Sequence, residues 1–116
     1  MKYLLFLLSI GLFSGQAAIA RPWLYTSVIY SYDPSEPVGR CMWRAEDALE
    51  DAGFTRNLET TNQSSRVVAV TGYLENHSVV AEVECRQSGR SFLILTVSGN
   101  DSKLTYEKYS SLFESF

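Results

Sequence analysis

The chain has little of what most small-protein chemistry is built from: one histidine and two cysteines among 116 residues. With one histidine no multi-histidine metal centre can form. No nucleophile-elbow serine pattern accompanies His77, so it reads as an exposed loop residue rather than a triad member. The two cysteines show neither Cys-x-x-Cys nor Cys/His zinc spacing, which argues against a redox motif or a zinc site. There is no glycine-rich phosphate loop, dinucleotide fingerprint or tight EF-hand turn, so no cofactor and no metal are expected. Repeats, linkers and low-complexity segments are absent. No apolar run approaches the roughly 20 residues that span a bilayer. Basic charge is also short. All 13 acidic residues but only nine of the 10 basic ones follow Ala20, leaving residues 21–116 at a balance of −4, which opposes a nucleic-acid or anionic-membrane surface.

What is present begins with an export pattern. Lys2 is a short positive start, Leu4 to Phe13 an apolar run of signal length, and Ala18-Ile19-Ala20 places small residues where signal peptidase reads them. Residues 1–20 are therefore expected to be a cleaved secretion signal. Residues 21–116 are expected to be one periplasmic or secreted α+β domain with no membrane span after cleavage. The whole chain is 46% apolar and 13% aromatic, enough for residues 21–116 to bury a core.

Along the chain, Trp23 to Tyr32 is rich in aromatic and β-branched residues and reads as a strand. Asp33-Pro34-Ser35-Glu36-Pro37 breaks it and can start a helix, with Asp33 or Ser35 as the cap. Val38, Cys41, Ala45, Ala48, Leu49 and Ala52 recur at spacings of three and four, which predicts a helix over about 36–52 ended by Gly53. The polar run Thr60 to Ser65 reads as a loop. Strands are predicted over Arg66–Tyr73, Ser78–Arg86 and Ser91–Ser98. Gly99-Asn100-Asp101-Ser102 would then break the chain and supply the N-cap of a last helix carrying Tyr106, Tyr109, Leu112, Phe113 and Phe116 on one face. The expected order is β-α-β-β-β-α, a four-stranded and mainly antiparallel sheet with two helices on one face. The first strand could lie beside either the second or the fourth. The α-βββ-α order resembles double-stranded RNA-binding domains in outline, but the acidic balance and export signal oppose that function.

Cys41 falls on the apolar helix face and Cys85 on the apolar face of the third predicted strand, so in an exported protein they are expected to form a disulfide. Chain entropy assigns a loop of that length roughly 4 kcal/mol. On the opposite strand face, Glu82, Glu84 and Arg86 read as a solvated charged stripe, with paired-carboxylate catalysis as the alternative. Asp47, Glu50 and Asp51 read as a solvated helix face. Asn62, Asn76 and Asn100 each begin an N-glycosylation pattern in a predicted loop, of consequence only in a eukaryotic or viral glycoprotein.

No catalytic constellation stands out. A stapled single domain without one can still offer a rigid surface, so the expected role is a small exported binding factor of inhibitor, immunity or accessory type, acting on another protein. A minimal hydrolase or carbohydrate-active enzyme on the acidic sheet face is the rival. On a helical wheel Trp43 falls opposite the apolar face of the first helix, among Glu46, Asp47 and Glu50. Either the indole is covered by Asp33–Pro37 or the N-terminal residues, or it is an anchor for a basic partner.

Overall fold

Alternating aromatic and β-branched residues favour extended backbone, and the computed structural model, which describes residues 21–116, opens on strand β1, Trp23–Tyr30. The expected signal peptide lies outside the described residues. Helix α1 (Val38–Asp51) follows, then strands β2 (Arg56–Ser64), β3 (Val67–Tyr73), β4 (Val79–Ser88) and β5 (Arg90–Gly99), and helix α2 (Ser102–Ser115). The sheet is antiparallel throughout, in the order β1-β5-β4-β3-β2. The first strand therefore pairs with the last.

The α+β class with two helices and an antiparallel sheet is as expected, but the sheet has five strands rather than four. The additional strand, β2, includes most of the segment read as a loop. It escapes a periodicity reading because it is an edge strand with only Leu58 and Thr60 half-buried, so most of its side chains stay polar. Asn62 accordingly lies in a strand, whereas Asn76 and Asn100 lie in turns as expected.

Helix α1 ends in a Schellman motif. Gly53 adopts φ 95°, its N–H donates to the Glu50 carbonyl at 3.0 Å, and the Phe54 N–H donates to the Leu49 carbonyl at 2.8 Å. Leu49 and Phe54 are both buried in the same apolar core cluster. The start differs from expectation. Pro37 is the N-cap and no side chain caps the helix; the Asp33 carboxylate instead accepts from the Ser35 N–H at 2.9 Å. In α2, by contrast, the Asp101 carboxylate caps the Leu104 N–H at 2.8 Å.

Both helices lie on one face. Ser27, Leu95 and Val83 occupy one cross-strand row, and Cys85 shares their face. Ser27 meets the Tyr109 hydroxyl of α2, while Cys85 is bonded to Cys41 of α1. The core between these layers is built from Cys41, Ala45 and Leu49 of α1, Leu112 of α2, and Val70, Val79, Ala81, Val83, Cys85, Leu93, Leu95 and Val97 of the sheet. The strand alternation read from β4 is the one observed. Close approach explains Gly72, where an added Cβ would stand 2.5 Å from the Phe54 carbonyl oxygen.

The expected single face of α2 is only partly used. Leu112 and Thr105 are buried, whereas Tyr106 and Phe113 are exposed, because α2 sits over β5 and the edge strand β1 and its stripe extends past the sheet.

Candidate functional site

Trp43 is placed by α1. Cys41, Ala45, Ala48 and Leu49 turn toward the sheet, and 3.6 residues per turn carries position 43 to the outer side. Its side chain is 67% exposed, so among the described residues neither Asp33–Pro37 nor the N-terminal stretch covers it. Covering by those segments was one of the two expectations, and it does not occur. Instead Pro37 ends the loop at the start of α1, and Glu36 turns inward. Asp47 and Glu50 are exposed, one and two turns further along. Glu46 is not free: it is half-buried and its carboxylate accepts from the Thr60 hydroxyl of β2 at 2.6 Å.

The disulfide joins Cys41 to Cys85 with Cα atoms 6.0 Å apart, and both residues are buried. His77 lies in the turn between β3 and β4 at φ 61°, with its ring beside that of Tyr73. The Asn76 side chain accepts from the Ser78 N–H at 3.0 Å, closing the same turn.

Glu82 and Glu84 project from the sheet face away from both helices. The rows there run Thr26, Thr96, Glu82, Thr71, Glu59 and Val28, Ile94, Glu84, Ala69, Thr61. Glu84 is held by Arg86, 3.1 Å from Nε and 2.7 Å from Nη2. Burial, and next the charge of Glu84, raise the pKa of Glu82 above the ordinary carboxylate value. No group of three or more metal-ligating side chains gathers among the described residues.

Sequence reasoning missed a cleft of about 230 Å³ where β1 leaves the sheet, lined by Ile29 to Asp33, Glu36, Arg44, Leu93 and Phe116. Glu36 is buried, and its Oε1 accepts from the Ser31 hydroxyl at 2.7 Å and from Arg44 Nη2 at 2.8 Å. Its Oε2 accepts from Arg44 Nε at 3.1 Å. Burial pushes the Glu36 pKa up, but hydrogen bonds from Arg44 and Ser31 and the charges of Arg44 and Arg40 outweigh it, so the net shift is downward. The Arg44 guanidinium also lies 5.7 Å from the Phe116 ring centroid. These groups satisfy one another, which suits an anchor for the β1–α1 connection better than reactive chemistry. A Glu beside a helix start and an Arg eight positions on are too ordinary a pair to find by spacing.

The second feature missed is the distribution of exposed apolar side chains. Among the described residues, all the large ones but Trp43 gather at one edge: Trp23, Leu24, Val28 and Tyr30 on β1, Tyr32 just after it, and Tyr106 and Phe113 on α2. Tyr25 ties the two elements together, its ring 5.5 Å from that of Tyr106 and 5.2 Å from that of Tyr109. No protein-family model, curated protein or solved structure matches the chain.

Proposed function

We propose that this chain is a small exported, non-enzymatic binding factor of inhibitor, immunity or accessory type that holds another protein through the Trp43 face of α1. The observation that carries this reading is the exposed indole itself. Trp43 stands apart from the other exposed apolar side chains, next to the carboxylates of Asp47 and Glu50. An indole in water forgoes burial of a large apolar area, and tryptophan is enriched among interface hot spots. The neighbouring carboxylates favour a basic partner patch, in a contact that weakens with salt. The Lys2, Leu4–Phe13 and Ala18–Ala20 pattern supports a periplasmic or secreted location, as does the Cys41–Cys85 disulfide. No helix among the described residues is long and apolar enough to cross a membrane.

The test is affinity capture from the native periplasmic or extracellular fraction, with wild type and Trp43→Ala as paired baits. A stoichiometric, salt-sensitive partner of the wild type, bound at least tenfold more weakly by a variant of unchanged melting temperature, supports the reading. A partner retained by the variant, or a marked loss of stability, ends it.

A second reading, a hydrolase or carbohydrate-active enzyme, draws on the raised pKa of Glu82 as a candidate general acid. Against it, Glu84 is committed to Arg86, and neither Glu82 nor Glu84 lines the cleft at Glu36. For a eukaryotic or viral source, glycans at Asn62, Asn76 and Asn100 would be seen as a mobility shift on glycosidase treatment.

A further inference from the structure

The two edges of the sheet are built differently. β2 carries Arg56 and Glu59 and has register breaks between Arg56 and Glu59 and between Asn62 and Ser64, devices that blunt an edge against further pairing. β1 has none of them. From Trp23 to Tyr30 it contains no charge, proline or glycine, and it pairs with β5 in unbroken register over eight residues. Ser31 donates to the Ser91 carbonyl at 3.1 Å, in register with the strand. By alternation, the N–H and C=O groups of Leu24, Thr26, Val28 and Tyr30 then face the open side.

We infer that this edge joins a second copy of the chain, β1 against β1 in antiparallel fashion, about a two-fold axis at Ser27. This goes beyond the heterologous binding proposed for Trp43 and does not depend on it. Opposed residues in an antiparallel pair must share a face, and centring on Ser27 meets that condition. Leu24 then opposes Tyr30 of the copy, Thr26 opposes Val28, and Tyr25 opposes Ile29 on the helix side. The strand is uncharged, so it meets itself without like-charge opposition, although the chain is acidic overall.

Helix geometry agrees. Paired strands stand about 4.8 Å apart, so an α2 helix over β5 and β1 would lie roughly 10–12 Å from its copy across the axis. Tyr106 and Phe113, exposed on α2, would fill that gap. Leu24, Val28, Tyr30, Tyr106 and Phe113 each still expose roughly 100 Å², so pairing removes at most about 1,000 Å² from two copies, the threshold for a specific interface. Pairing of β1 with β2 of another copy would instead give open-ended growth, which the breaks in β2 oppose.

The full chain, expressed with export and recovered from the periplasm, should show a concentration-dependent doubling of mass in sedimentation analysis with a Kd between about 1 and 100 μM. Val28 is 54% exposed, so Val28→Lys should keep the far-UV spectrum and melting temperature of the dilute protein while weakening dimerisation at least tenfold. Trp43→Ala should dimerise like the wild type. A wild type that stays monomeric to about 1 mM overturns the proposal, including the case where it takes up a strand from another protein instead. So does a dimer that Val28→Lys leaves intact.

Discussion

Arg44 grips Glu36 with two parallel hydrogen bonds, Nη2 to Oε1 at 2.8 Å and Nε to Oε2 at 3.1 Å, and so ties α1 to the segment leaving β1. Glu36 is 6% exposed, whereas the Arg44 side chain keeps 38% of its surface in water. The pair is therefore screened on one side only. Arg44→Met removes the charge while keeping most of the stem, leaving the buried carboxylate with the Ser31 hydroxyl as its hydrogen-bond donor and the more distant charge of Arg40. Chemical denaturation at pH 7 should show a loss of about 2 kcal/mol, below the 3–5 typical of a fully buried pair.

The same carboxylate gives an acid limb. Its folded-state pKa lies below the ordinary 4.5, so its contribution is complete above that value and is lost as pH falls through the lower folded pKa. Stability measured from pH 6 to pH 2 should therefore fall less steeply in Glu36→Gln than in wild type. Equal slopes would show that Glu36 is not held ionised.

Glu82 has the opposite sign. Its pKa is raised, so the folded state favours the protonated form, and the penalty grows as pH rises through the folded pKa and persists at neutrality. Glu82→Gln should raise the melting temperature slightly at pH 7, with the advantage fading below about pH 4.5. A destabilised Glu82→Gln at neutral pH would mean that the carboxylate serves a favourable contact instead.

Cys41 and Cys85 close a loop across 44 positions. Replacing both with alanine should cost about 4 kcal/mol in denaturant unfolding. Both sulfurs are buried in the core, so wild type should resist reduction until denaturant is added. Non-reducing peptide mapping should recover the linked pair.

The elements legible in the sequence were those whose own residues carry the signal. The α1 stripe with Gly53 behind it, the alternation of Val79 to Cys85 and a cap for α2 within Gly99–Ser102 are each dictated by local geometry, a 3.6 or 2.0 residue period or a four-residue end motif. The disulfide was legible for the same reason, since two cysteines on two apolar faces of one core have few other places to be.

What the sequence determined alone was thus the α+β class, α1 and α2, three of the five strands of the sheet closely, β1 in its main extent, and the covalent link. Tertiary structure decided the rest. β2 holds its place through backbone pairing with β3, and backbone groups are the same in every residue, so its polar side chains leave no periodic trace. The place of β1 beside β5 rests on pairing between residues about 60 to 80 positions apart, from Trp23 with Gly99 to Tyr30 with Phe92, which no local pattern encodes. That choice leaves an uncharged edge open in company with Tyr106 and Phe113, residues some 80 positions away that only the folded chain brings to it.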